Sequence, residues 1–408
     1  MMSAIFHAAM NGKTIEVSML LSRNEIHLDQ QDTSGRSPLS LAAGNGHEAI
    51  VKLLLDTGKV KIEGKDNNGL TPLSWAAAKG QESTVQLLLD TGKVYVNSNN
   101  SMGGTGETPL FRAVRYGHEK VVKLLLNTGS INIDGAWHCQ TLLLCAALND
   151  HEAIVKLLLS TGQIDVDATK NGKTPLLAAV LNGNERVVSL LLDTNQVDVN
   201  AEWHGSTPMI AAASAGNEAL VTLLLSTGKV QVDKESKKNT PLLSAALNGH
   251  VAIVELLLNT GQVDIEATDL DGQTPLSLAA MRGHERVVRS LIRFGGRVDS
   301  KDLSGRSPLL CAAMNGHEPV VKTLLSASVI NVDAPNHRGQ SPLFLAAAGG
   351  HEAIVKLLLA TDEVDVRRTD KYGQAASSGN MAVVELLQDA MNGRTHIQRQ
   401  VKWPWKTR

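Results

Sequence analysis

The sequence predicts an all-α solenoid of stacked helix-turn-helix units, and three observations predict it. A Ser/Thr-Pro-Leu start recurs at Ser37, Thr71, Thr108, Thr141, Thr174, Thr207, Thr240, Thr274, Ser307 and Ser341, with Leu142 and Met209 as the variant residues. The steps between these starts are 34, 37, 33, 33, 33, 33, 34, 33 and 34 residues, a period that signals a repeat architecture. Each unit also carries too much leucine to bury by itself, so it needs copies on both sides. The aromatic content of 3% fits this, because thin helix layers are filled by Leu, Val and Ala.

The stretch Gly35–Val60 shows how one unit is built. Ser37 is a good N-cap, and Pro38 sits just inside, where its missing N–H costs nothing. Leu39, Ala42 and Ala43 give a short helix one apolar face, with alanines small enough for close approach. Gly46 stops that helix. Glu48 opens a second helix, where a negative charge suits the dipole. Ile50, Val51, Leu53, Leu54 and Leu55 cover most of its circumference, so it is buried on several sides. Thr57–Gly58 ends it.

Taken in order, residues 3–34 keep the helix pair without the Thr-Pro-Leu start and read as a divergent N-terminal capping repeat. Ten fuller repeats occupy 35–369. The third of them is displaced by the insertion Asn97–Glu107, rich in Gly, Asn and Ser, which predicts a flexible loop. Residues 370–390 form a truncated repeat with a shortened first helix, read as the C-terminal cap. Residues 391–408 are a basic and aromatic tail without repeat character.

The pattern G-x-T-P-L, then A-A, then G-H-E, then V-x-L-L-L resembles the ankyrin repeat, over roughly residues 3–390. The ending D-T-G-K-V-x-V is similar to that of long arrays from filamentous fungi. The resemblance implies helix pairs stacked in an L-shaped section, with a turn or hairpin finger projecting from each junction. It also implies that the recurrent His (His47, His118, His151, His250, His284, His317 and His351) bridges backbone groups of adjacent loops. At Cys139 and Lys238 two fingers lack the usual glycine, so their turns should differ in shape.

Charge and composition narrow the function. Net charge is −2, but the last 18 residues hold five basic groups and no acid, leaving the rest with 34 basic against 41 acidic groups, or −7. A mildly acidic array argues against direct nucleic-acid binding, which needs a basic face. Three cysteines make no disulfide framework, and the period turns Cys145 and Cys311 into packing residues of one slot. No apolar run reaches the ~18 residues of a membrane span. The opening MMSAIFHAAMNGK lacks the charged lead-in and long apolar segment of a signal peptide. The expected compartment is the cytosol or the nucleus.

Catalytic motifs fail on spacing. The six His-Glu pairs invite comparison with a zinc H-E-x-x-H helix, but the fifth residue is valine each time, from Val51 to Val355. The two Gly-Lys-Thr tripeptides lack a phosphate-loop glycine five residues earlier, where His7 and Asp167 stand. No G-x-S-x-G elbow exists. The expectation is a non-enzyme without cofactor or metal.

Residues that break the repeat carry the binding hypothesis. In the ankyrin family, target contacts come from the finger turn and the last turn of the first helix. Most finger slots here are small or polar, whereas two carry Trp137-His138 and Trp203-His204, two whole repeats apart. At the helix end, Arg115, Tyr116, Leu148, Leu181, Met281, Arg282 and Met314 form a mixed apolar and polar row of types enriched at interfaces. The opposing reading is that each Trp lies flat on its neighbouring finger. Trp75 shares its slot with Leu41 and Leu278 and reads as packing. The expected function is a monomeric scaffold that binds a partner protein through the finger and inner-helix face. A transcription co-regulator acting through a protein partner, or the sensing region of a fungal signalling protein, are the alternatives.

Overall fold

The computed structural model describes residues 4–23, 27–100, 106–131, 133, 141–169, 171–237, 239–327, 329–377 and 380–393. The chain forms two compact units, Met1–Asp198 and Val199–Arg408. All regular structure among the described residues is helical apart from three isolated β-bridges.

In the first unit the inner helices are α1 (Ala4–Met10), α3 (Pro38–Gly44), α5 (Pro72–Ala78), α7 (Pro109–Arg115), α9 (Leu142–Leu148) and α11 (Pro175–Leu181). They alternate with the outer helices α2 (Thr14–Leu21), α4 (Glu48–Asp56), α6 (Glu82–Asp90), α8 (Glu119–Leu126), α10 (Glu152–Ser160) and α12 (Glu185–Asp193). Inner packs on inner and outer on outer along the chain. The second unit repeats the scheme with α13 (Pro208–Ala215), α15 (Pro241–Asn248), α17 (Pro275–Arg282), α19 (Pro308–Met314) and α21 (Pro342–Ala348) inside. Its outer layer is α14 (Glu218–Ser226), α16 (Val251–Asn259), α18 (Glu285–Arg293), α20 (Glu318–Leu325) and α22 (Glu352–Leu359). Helix α23 (Met381–Met391) packs on α22. No helix of the described residues is long and apolar enough to cross a membrane.

The helix starts follow from their caps. Ser37 Oγ accepts the Ser40 N–H at 3.1 Å and Thr274 Oγ1 accepts the Ser277 N–H at 3.2 Å, and the same bond recurs at all ten starts. Each such cap contributes about 1 kcal/mol over alanine. The outer helices stop where Thr57 Oγ1 donates to Leu54 O at 2.6 Å and Gly58 takes φ +64°. Between the layers lie fully buried Val51, Leu54, Val254, Leu257, Val288 and Leu291, so burial of this seam holds each pair to its neighbours.

The recurrent histidines tie one repeat to the previous one. In the first unit Nε2 of His47, His118 and His151 lies 3.0, 3.0 and 3.3 Å from the carbonyls of Met10, Ala78 and Arg115. In the second, His250, His284, His317 and His351 reach Ser214, Leu247, Met281 and Met314 at 3.1, 3.1, 2.9 and 3.2 Å. A carbonyl can only accept, so each Nε2 carries the proton. Close approach matters here: a Cβ on Gly283, at φ +79°, would stand 2.6 Å from the His317 ring.

A second tie runs along the loops before the fingers. Asp29 accepts the Lys61 N–H at 2.7 Å, Asp167 the Asp198 N–H at 2.7 Å, Asp233 the Asp264 N–H at 3.1 Å, and Glu266 the Arg297 N–H at 2.7 Å. Burial pushes the carboxyls of Asp167 and Asp233 above their ordinary range, with neighbouring Asp198 and Asp264 adding repulsion.

Candidate protein-binding surface

Four fingers of the second unit share one construction. Asp302 Oδ1 accepts the N–H groups of Ser304 and Arg306 at 2.9 and 2.8 Å, and its Oδ2 takes Arg306 Nε at 2.6 Å. Asp269, Asn336 and Asp370 cap their turns in the same way, through the N–H groups two and four residues on. A glycine with positive φ stands fourth in each, as at Gly305 (φ +76°). The fingers are then tied together: Leu303 N–H donates to Asp271 O at 2.9 Å, His337 N–H to Ser304 O at 2.9 Å, and Lys371 N–H to Arg338 O at 2.8 Å. Leu270, Leu303 and Tyr372 project from this frame with 73%, 71% and 77% of their surface exposed.

The finger of Trp203 is built differently. Trp203 and Ser206 exchange two backbone hydrogen bonds, each 3.0 Å, across His204 (φ +53°) and Gly205 (φ +86°). His204 is exposed and stands edge-on to the Trp203 ring, with centroids 4.4 Å apart. Trp203 itself is half-buried. Part of its surface therefore faces solvent. Ser236 and Asn239 close the next finger with the same paired bonds, at 2.8 and 2.9 Å, and the Lys237 side chain covers Gly205.

At the helix ends of this unit, Leu247, Met281 and Met314 are half-buried and Arg282 is exposed. Gln273 Nε2 approaches the Met281 sulfur at 3.7 Å. The first unit holds the other row residues. Arg115 and Arg112 pair with Glu107 at 2.6 and 2.9 Å, and the Arg115 guanidinium lies 5.8 Å from the Tyr116 ring centre. Tyr116 and Leu181 are exposed and Leu148 is half-buried. Trp75 packs against Gly44 and donates its Nε1–H to Asp66 at 3.0 Å, with Arg36 6.0 Å from its ring.

Trp137, His138, Cys139, Lys238 and residues 101–105 of the inserted loop lie outside the described residues, as do 394–408 of the tail. Leu270 and Leu303 escaped the reading of the sequence, although they occupy the slot of Trp203. Asking which finger slots carry any large apolar side chain, instead of which carry Trp, would have found them.

Burial pushes the thiols of Cys145 and Cys311 up to about 11, so both stay protonated and unreactive at neutral pH. Among the described residues no group of three or more His, Cys, Asp or Glu is placed to hold a metal ion.

Family models match the repeats by sequence. The family described as "Ankyrin repeats (3 copies)" matches residues 2–63, 59–136, 131–203, 195–269 and 261–336, and "Ankyrin repeat" matches 338–371. No curated protein matches the chain. Among solved structures, the chain is similar to the human ASB11 ankyrin repeat domain, at 27% identity, 55% of this chain, 97% of that chain and a TM-score of 0.48. With its finger turns, its histidine ties and family matches over nearly its whole length, the chain belongs to the ankyrin-repeat family.

Proposed function

We propose that this chain is a non-enzymatic scaffold that grips a partner protein through its fingers and inner-helix ends. Ankyrin repeats are protein-interaction modules, which supports the reading at its coarsest. One observation carries the rest: the fingers of the second unit hold exposed Leu270, Leu303 and Tyr372 on a hydrogen-bonded frame. A rigid surface loses little entropy on binding, and exposed apolar tips supply the buried area. Trp203, His204, Met281, Arg282 and Met314 belong to this surface. Arg115, Tyr116, Leu148 and Leu181, with Trp137 and His138, are assigned to contacts of the first unit's face. We assign 3–34 and 370–390 as caps, 35–369 as ten repeats and 391–408 as a tail, in a monomer of the cytosol or nucleus.

The test uses the intact chain as bait for proximity labelling, followed by affinity measurement with the captured partner. Trp203→Ala should weaken binding about thirtyfold, the ~2 kcal/mol typical of an anchoring tryptophan, with unchanged far-UV circular dichroism. A loss of melting temperature in proportion to affinity would make the finger structural and remove Trp203 from the site.

A further inference from the structure

In these fingers of the second unit the acids and the bases face different ways. The carboxylates of Asp269, Asp302 and Asp370 are turned inward, each accepting two backbone N–H groups of its own turn at 2.8–3.0 Å. The cations are turned outward. Arg282, Arg338 and Lys371 are exposed and make no ion pair among the described residues, while Arg306 is held by Asp302. On the tips themselves, at 270–271, 303–304, 337–338 and 371–372, Asp271 is the acid. The charges that face outward from the ridge are thus mostly cations, Arg282, Arg338 and Lys371 against Asp271, interleaved with Leu270, Leu303 and Tyr372.

We infer that this ridge takes an acidic, amphipathic helical segment of a partner protein, with apolar anchors on Leu270 and Leu303 and carboxylates on Arg338 and Lys371. The inference deepens the scaffold reading and rests on it. Charge complementarity sets the sign of the partner, and geometry sets its spacing. Successive inner helices pack about 8–10 Å apart, so neighbouring tips lie at about that step. Seven residues of α-helix rise about 10.5 Å, so apolar side chains seven residues apart on one face keep step with the fingers. Leucines at the tips favour an apolar helix face over nucleic acid, whose bases call for aromatic platforms. The inter-finger hydrogen bonds from Leu303, His337 and Lys371 hold the ridge in place before binding.

The experiment titrates the full chain into labelled helix-forming peptides of about 21 residues, long enough to cross the three repeat steps from Leu270 to Lys371. One carries leucines seven apart on a Glu-rich background, one the same leucines on a Lys-rich background, and one serines in place of the leucines. A deoxythymidine oligonucleotide is the fourth probe. The Glu–Leu peptide should bind at least about tenfold tighter than the Lys–Leu or Glu–Ser peptides, and more weakly as salt rises. Arg338→Glu with Lys371→Glu, and separately Leu270→Ser with Leu303→Ser, should each weaken it about tenfold or more. Both pairs are exposed, so circular dichroism should not move. Equal binding of the Lys–Leu peptide, or no effect of charge reversal, overturns the inference. Tighter binding of the oligonucleotide overturns it in favour of a nucleic-acid face. If the Glu–Leu peptide fails while Trp203→Ala still releases the captured partner, this inference falls and the scaffold reading stands.

Discussion

The turns at Trp203–Ser206 and Asp302–Arg306 occupy the same place in their repeats, yet different chemistry closes them. In the second, one buried carboxylate caps two N–H groups and an arginine, and the next finger is hydrogen-bonded to the tip. In the first, the backbone pairs with itself, and a half-buried tryptophan supplies the cover. The carboxylate turn closes without help from its tip side chain, and Leu303 stays 71% exposed. The paired turn holds part of its large side chain against the frame and leaves the rest to solvent. Finger type thus decides how much of a bulky residue faces water.

The sharpest way to break this comparison is Asp302→Ala. It leaves two N–H groups and a half-buried guanidinium without their partner, and should cost about 3 kcal/mol, read as a fall in denaturant midpoint. Gly305→Ala comes next. A Cβ there would lie 2.5 Å from the His337 ring and 2.9 Å from its backbone N, at φ +76°. The expected loss is about 2 kcal/mol, with the His337 amide exchanging faster in hydrogen exchange.

A smaller effect belongs to pH. The folded-state pKa of Asp233 is raised by burial and by Asp264 and Glu235, so its charged form is disfavoured in the fold. Stability from this group is lowest above the folded pKa and recovers as pH falls through it toward the unfolded value. Asp233→Asn should therefore raise the melting temperature at pH 7 by about 1–3 °C and lose that advantage near pH 4. The opposite sign would show that the ionised carboxylate is favoured in the fold. Smallest of all is Ser236→Ala in a paired turn. The Ser236 hydroxyl has no hydrogen-bond partner, so the change should stay within about ±0.5 kcal/mol. A loss near that of Asp302→Ala would erase the distinction between the finger types.

Much of the fold is legible in the chain because each device is local. Ser37 and Thr274 cap from their own sequence neighbours, and the period alone places His317 beside the repeat before it. The zinc alternative fails at Val51 and its equivalents by counting alone. Exposure at the fingers is harder to read, because it depends on which way a turn closes. Trp203 and Leu303 share a slot, and the acid three residues before the glycine, Asp302, is what separates them, while Glu202 in that position does not cap. Leu270 was hidden for the same reason.

The ties between repeats have a consequence for how such a chain changes length over generations. The bond from His337 to Ser304 and that from Lys371 to Arg338 each span 33 residues, and Asn67 reaches Ser34 across the same interval. The octapeptide EAIVKLLL stands unaltered at 48–55, 152–159 and 352–359. A recombination event that joins one copy to another adds or removes a whole unit and leaves each surviving tie with an equivalent partner. A deletion of a few residues inside a unit does the reverse, since it shifts every donor past its acceptor. Such an array can be lengthened, shortened or shuffled by whole repeats, and its set of finger tips recombined, without redesigning the frame that displays them.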